Sequence, residues 1–397
     1  FGGIPRLGKI SPVAYNTGSL QTEFFGLGLS ETSIATADLS VSISDILKWD
    51  TMILSLEGSV LYKNEILPEK YLKRGCPEKS VGWSGRLNLE AEGFYMRGEY
   101  VDAGVQITDD PDLPAEHGNA QLLELGYNRG GLGLSVTGRR LRFMTQQIVT
   151  EKANPMYATT ANVMSYCPAM CTQYTYMLTT LNPYSPEIGD KVIKAGEIGG
   201  QIDAFYNFRR GTLLGGKRGM KMHANFSTYY ALNAEGGTKG GGLLFRDFSF
   251  DVERQWTKEF KMVLMYSMQE YNKHNESNGL FIGTAHIVVA DLLYKWTPKL
   301  SSRLELQYLS SKDDQGDWMA GLLEINFAPH WSVFASDMWN HGSTKLHYYN
   351  AGVSWSMSNI RLAAGYGRYK AGFICSGGVC REIPAYTGAN FSITTSF

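Results

Sequence analysis

Apolar and polar side chains alternate every second residue along most of this chain, and no uninterrupted apolar stretch is long enough to cross a membrane as a helix. Alternation at period two puts one chemistry on each face of a β-strand, whereas a helix repeats every 3.6 residues. In 300–309, Leu304, Leu306 and Tyr308 alternate with Arg303, Glu305 and Gln307. In 201–208, Ile202, Ala204, Tyr206 and Phe208 alternate with Gln201, Asp203, Phe205 and Asn207. In 247–256, Phe248, Phe250, Val252 and Trp256 oppose Asp247, Ser249, Asp251 and Glu253. Similar patterns occupy 83–90, 94–100, 220–228 and 349–357. Segment after segment offers an apolar face, and no helix is in prospect to cover it. Two architectures remain: a soluble sandwich of sheets, or a closed barrel whose apolar face meets lipid. Without spanning helices, only a closed barrel satisfies its backbone in hydrocarbon.

The last strand and the connections favour the barrel. Ala389, Phe391, Ile393, Thr395 and the terminal Phe397 share one face, and Gly388, Asn390, Ser392, Thr394 and Ser396 share the other. A strand ending on an aromatic resembles the signal by which bacterial outer-membrane barrels are recognised for assembly, which makes Phe391, Ile393 and Phe397 its candidate residues. Backwards from this strand, short and long links alternate. The links at Asp50, Glu92, Arg129-Gly130, Thr257-Lys258, Pro298-Lys299, Pro329-His330 and Ser358-Asn359 are tight, whereas 64–79, 108–118, 144–195, 233–242, 273–282 and 372–383 are long. Short periplasmic turns and long external loops are the barrel pattern. The segment 209–218, rich in Arg and Lys, fits this register poorly, being a large basic turn on the short-turn side. The expectation is an all-β, transmembrane, antiparallel up-and-down barrel of about 16–18 strands, with about 14 also compatible. The higher count includes a strand at 19–29; residues 1–17 are expected to be a periplasmic segment, and 18–397 the barrel. Trp49, Trp83, Tyr127, Trp256, Trp296, Trp331, Trp339 and Trp355 fall near strand ends, as belts at two membrane interfaces require.

Charge is nearly balanced, with 37 basic against 38 acidic residues. A nucleic-acid partner calls for a basic excess and is not expected. The polar faces mix both signs. Arg86, Glu90, Arg97, Glu99, Gln201, Asp203, Asp251, Glu253, Arg303 and Glu305 are the candidates to face the barrel interior. That mixture argues against rings of one sign selecting anions or cations. All five cysteines fall in links assigned to the outside, consistent with an oxidising location. Cys375 with Cys380, and Cys167 with Cys171, could each close a small loop, leaving Cys76 alone or exchanging partners. Zinc is the competing reading for these cysteines, but no histidine lies within eight residues of either pair.

No cofactor motif is evident, and the glycines at 235–242 lack phosphate-loop spacing. His223, Asn225 and Ser227 share the polar face of one strand; three alternate side chains point in parallel and do not form a catalytic relay. Asp337 and His341 straddle an outer link, with nothing converging on them. The long connection 144–195, with four prolines and Met156, Met164, Met170 and Met177, is expected to carry specific function. It would either fold into the barrel as a constriction or form an external platform.

Residues 122–127, 130–135, 196–203, 214–219 and 391–397 together resemble a family of Bacteroidota outer-membrane barrels known chiefly as a domain of unknown function. The resemblance implies fold and an outer-membrane location; it implies no catalytic residue. Three functions are open: a porin-like channel for small solutes; a scaffolding subunit that binds surface lipoproteins or another barrel through its loops; and a barrel enzyme, for which no convergent nucleophile and base is found. The partners expected are outer-membrane lipid and the assembly machinery of that membrane.

Overall fold

The computed structural model describes residues 33–64, 67, 69–106, 115–144, 176–181, 196–232, 242–275, 279–312, 315–376 and 379–395, with the backbone alone at 70, 272–275, 279–281, 372–376 and 379–383. The strands are β1 (Ser33–Ser42), β2 (Met52–Asn64), β3 (Lys79–Ala91), β4 (Phe94–Gln106), β5 (Glu116–Arg129), β6 (Leu132–Arg142), β7 (Gly196–Phe208), β8 (Met220–Ala231), β9 (Leu243–Gln255) and β10 (Phe260–Asn275). They continue as β11 (Gly279–Thr297), β12 (Leu300–Ser311), β13 (Trp318–Phe327), β14 (Trp331–Asn340), β15 (His347–Met357), β16 (Ile360–Tyr369), β17 (Gly372–Ser376), β18 (Val379–Ile383) and β19 (Tyr386–Thr395). β17 and β18 form a separate hairpin, and the other strands form one 17-stranded sheet. Within that sheet each strand pairs antiparallel with the next in the chain, from β1–β2 through β15–β16 and on to β16–β19. β1 and β19 are the two ends of this meander, with no ladder between them among the described residues. The strand expected at 19–29 and the segment 1–17 lie outside the described residues.

The sheet is an up-and-down transmembrane β-barrel, and the distribution of exposure shows why. A soluble protein buries its apolar side chains and wets its polar ones; here the assignment is reversed. On β12, Leu304, Leu306 and Tyr308 are exposed, while Glu305 and Gln307 are buried to 4% and 5% exposure. On β9 and β10, Asp247, Ser249 and Gln269 are buried, while Leu264 is exposed. The exposed apolar set runs from Leu39 on β1 to Ile393 on β19, so the outer surface is one continuous apolar band. A patch of that extent is far beyond the few hundred Å² a soluble monomer tolerates. Among the described residues the second sheet is only the two-stranded β17–β18 hairpin, too small to cover the 17-stranded one as a sandwich requires. Among the described residues no helix is long and apolar enough to cross a membrane.

The tight links are built as hairpin chemistry requires. Glu92-Gly93, φ 47° and 91°, and Gly130-Gly131, φ 66° and 94°, join their strands through paired left-handed residues. A Cβ on Gly93 would sit 2.7 Å from the Asn128 carbonyl oxygen, so position 93 excludes any side chain. Four links differ from the sequence reading, and the first is 273–282, most of which is strand because β10 and β11 stay paired out to Asn275 and Gly279. The one at Asp50 contains a short helix, α1 (Ile43–Leu47), whose Asp45 N–H donates to the Ser42 hydroxyl at 3.3 Å. The link 64–79 contains α2 (Glu69–Leu72), and 372–383 is the β17–β18 hairpin. Of the aromatic belt, Trp49, Trp83, Tyr127, Trp256, Trp296 and Trp331 are exposed. Trp339 and Trp355 are half-buried, and Trp318, whose parity turns it inward, is buried at 2% exposure.

Candidate functional site

The inner face of β7–β13 is the most densely built part of the molecule. One zone of it is an apolar shelf. Phe245, Met265, Ile287, Val289, Leu309 and Trp318 occupy inward positions on β9 to β13 and pack against Tyr176 and Leu178. Those two residues belong to the long connection 144–195; its described part, 176–181, lies against this face and includes a 3₁₀ turn (Met177–Thr180). Leu178 and Thr179 are wholly buried. Polar ties hold the segment at both edges. The Leu178 N–H donates to Gln307 Oε1 at 2.8 Å, and Gln269 Nε2 donates to the Thr179 carbonyl at 3.0 Å. The Tyr176 hydroxyl reaches Asp291 Oδ2 at 3.4 Å.

Beside the shelf lies a polar zone, where charges meet in compensated sets. Arg303 donates from Nε and Nη2 to Asp291 at 3.0 and 2.9 Å, and from Nη2 to Glu305 at 2.8 Å. Gln307 Nε2 donates to Glu305. His223 is clamped between Asp203, 2.7 Å from its Nε2, and Asp251, 2.7 Å from its Nδ1; Asn225 Nδ2 also donates to Asp203, at 3.0 Å. The register explains the clamp: Asp251 pairs directly with His223 across β8–β9, while Asp203 stands opposite Asn225 across β7–β8, one step diagonal to the ring.

All ten residues singled out from the sequence sit on the polar face. Arg86 bonds Glu57 at 3.1 Å, Arg97 lies 3.7 Å from Glu90, and Lys261 pairs with Glu253 at 2.8 Å. Glu99 stands opposite Arg86 in register, and Gln201 opposite Ser227. His223, Asn225 and Ser227 lie on one face of β8, as their spacing requires, and the structure adds carboxylate partners from β7 and β9 that converge on His223. With both ring nitrogens engaged by carboxylates, the imidazole has no free nitrogen with which to activate a hydroxyl, so the cluster does not form a nucleophilic relay. Asp337 does not meet His341. It bonds His347 Nδ1 at 2.6 Å, and His341 stacks on Tyr308 with Trp339 tilted against it. No group of three His, Cys, Asp or Glu side chains able to hold a metal occurs among the described residues.

Phe391 and Ile393 project from the apolar face of β19, 66% and 61% exposed; Phe397 lies outside the described residues. Cys375 stands directly opposite Cys380 in the β17–β18 ladder, Cys76 is buried, and Cys167 and Cys171 lie outside the described residues. The basic segment 209–218 is a turn linking β7 and β8 at the end that carries the tight links. Arg209, Arg210, Arg218 and Lys221 line a pocket there of about 530 Å³.

Fold and interior together define a membrane β-barrel with a polar inner wall and an inserted segment. The chain belongs to a family of unknown function, DUF6029, whose model matches residues 18–397. No curated protein matches it. Among solved structures it is similar to mutant forms of a porin from Rhodopseudomonas blastica. One is 12% identical over 87% of this chain and 100% of that chain, with a TM-score of 0.34. Another is 12% identical over 81% and 93%, with a TM-score of 0.35.

Proposed function

We propose that this chain is a bacterial outer-membrane barrel that passes small solutes, with residues 176–181 as its constriction. The observation that carries the reading is the inner wall itself: buried polar and charged side chains of mixed sign face inward around a segment of the long external connection that is tied to β10 and β12. A wall of balanced charge suits a pore of weak ion preference. In this reading the molecule acts without covalent chemistry, Phe391, Ile393 and Phe397 present the assembly signal, and outer-membrane lipid contacts the apolar band. The Bacteroidota origin and the two disulfide pairs, Cys375 with Cys380 and Cys167 with Cys171, belong to the same proposal. Planar-bilayer recordings of the purified protein test it: stepwise conductance with weak ion selectivity supports it, and electrically silent insertion counts against it.

One observation favours a second reading. The apolar shelf beneath Leu178 fills part of the interior as a core would, which suits a plugged barrel serving as a scaffolding subunit for surface lipoproteins or another barrel. Purification from native membranes in mild detergent separates the two readings, since a scaffold retains stoichiometric partners and a channel elutes alone.

A further inference from the structure

Next to the His223 clamp, five buried oxygens have no hydrogen-bond partner among the described residues: Asn225 Oδ1, Ser227 Oγ, Asp247 Oδ1, Ser249 Oγ and Gln269 Oε1. Each of the five residues is 2% exposed or less. They come from three adjacent strands and interlock by register. Asp247 stands opposite Ser227 on one side and Gln269 on the other, and Ser249 stands opposite Asn225. Opposed side chains on one face have Cβ atoms about 4.5–5.5 Å apart and diagonal ones about 7–8 Å, so Asp247 is the centre of the group, with Ser227 and Gln269 opposite it and Asn225 and Ser249 at the next step of the face. The two amides are oriented by their other ends. Asn225 Nδ2 is spent on Asp203 and Gln269 Nε2 on the Thr179 carbonyl, which leaves both carbonyl oxygens as the ends without a partner. Among the described residues Asp247 makes no ion pair, and the neighbouring clamp brings two carboxylates for one imidazole, so it supplies no surplus positive charge. A buried carboxylate with no counter-charge, beside unmatched oxygens, is strongly unfavourable as a free anion; a proton or a bound cation relieves that cost, and only a cation also engages the neighbouring amide oxygens, which cannot donate.

We infer that Asp247, Asn225, Ser227, Ser249 and Gln269 form a binding site for a hard cation of the calcium class. The donor set is all oxygen, and hard cations take carboxylate, amide carbonyl and hydroxyl ligands of this kind. With a single carboxylate the affinity belongs at the weak end, on the order of 10⁻⁴–10⁻³ M for calcium, as in extracellular modules. Gln269 gives the site a consequence. Its Oε1 faces the cation while its Nε2 holds Thr179, so occupancy polarises the amide and tightens the tie on segment 176–181. The inference rests on the inner wall and stands whether or not the barrel conducts.

The test is terbium luminescence on the full chain in detergent, with competition by calcium. We expect saturable binding that Asp247→Asn weakens at least about tenfold, together with a calcium-dependent rise in unfolding temperature in the wild type that Asp247→Asn lacks. A wild type without saturable binding, or an Asp247→Asn protein that binds equally well, overturns the site. If Asp247→Asn does not fold, the pair Ser227→Ala with Ser249→Ala, which keeps the carboxylate, decides: unchanged calcium competition overturns the inference, and weakened competition supports it.

Discussion

At the scale of single residues, neighbours in sequence live in different solvents. Leu306 is 50% exposed on the outer face, whereas Glu305 and Gln307 beside it are buried inside and hydrogen-bonded to Arg303 and to the Leu178 backbone. Leu306 lies midway along β12, so Leu306→Arg should destabilise the folded barrel by about 2–4 kcal/mol, the cost of a cation on the lipid face near the midplane. Urea unfolding in liposomes checks this; a loss below about 0.5 kcal/mol would show that the position is not in lipid. The polar parity of Arg303, Glu305, Asp203 and Asp251 is readable from period two alone. Their partners are not. Positions 203, 223 and 251 carry no spacing signal, because they meet only through the β7–β8–β9 register. The same holds for Asp247, whose neighbours Ser227 and Gln269 lie on other strands.

At the scale of elements, the strands were legible and their contents were not. Alternating hydrophobicity located the strands of the meander within a few residues, because each strand must present one face to each solvent. The short helix Ile43–Leu47 and the hairpin β17–β18 were missed, since a few residues around Asp50 or between two cysteines carry too little periodicity to register. That part of the 144–195 connection turns inward was one of two readings, and no local pattern chooses between them. The choice is made by Leu178 finding the shelf of Phe245, Ile287 and Leu309. Leu178→Ala removes a fully buried side chain, which typically costs about 2–5 kcal/mol, and here that cost falls on docking of the segment. We expect proteolysis of the 144–195 connection to quicken about tenfold or more, in the intact barrel, by a time course of cleavage. An unchanged rate would mean that the segment is not held by this contact.

At the scale of the whole molecule, one physical inversion organises everything: buried polar side chains within a sheet whose outer surface is apolar. It accounts for the unbroken meander, the absence of a covering layer and the exposed tryptophans. The claim is most directly tested by a nitroxide scan of β12 in liposomes, from residue 303 to residue 308, in a cysteine-free background. The account predicts an oxygen profile of period two, with oxygen dissolved in lipid reaching positions 304, 306 and 308, while a water-soluble nickel chelate stays out of those three and, of the inward positions, reaches 303 most readily because 305 and 307 are buried. Profiles that rise and fall together, or a chelate that reaches positions 304, 306 and 308 freely, would contradict it.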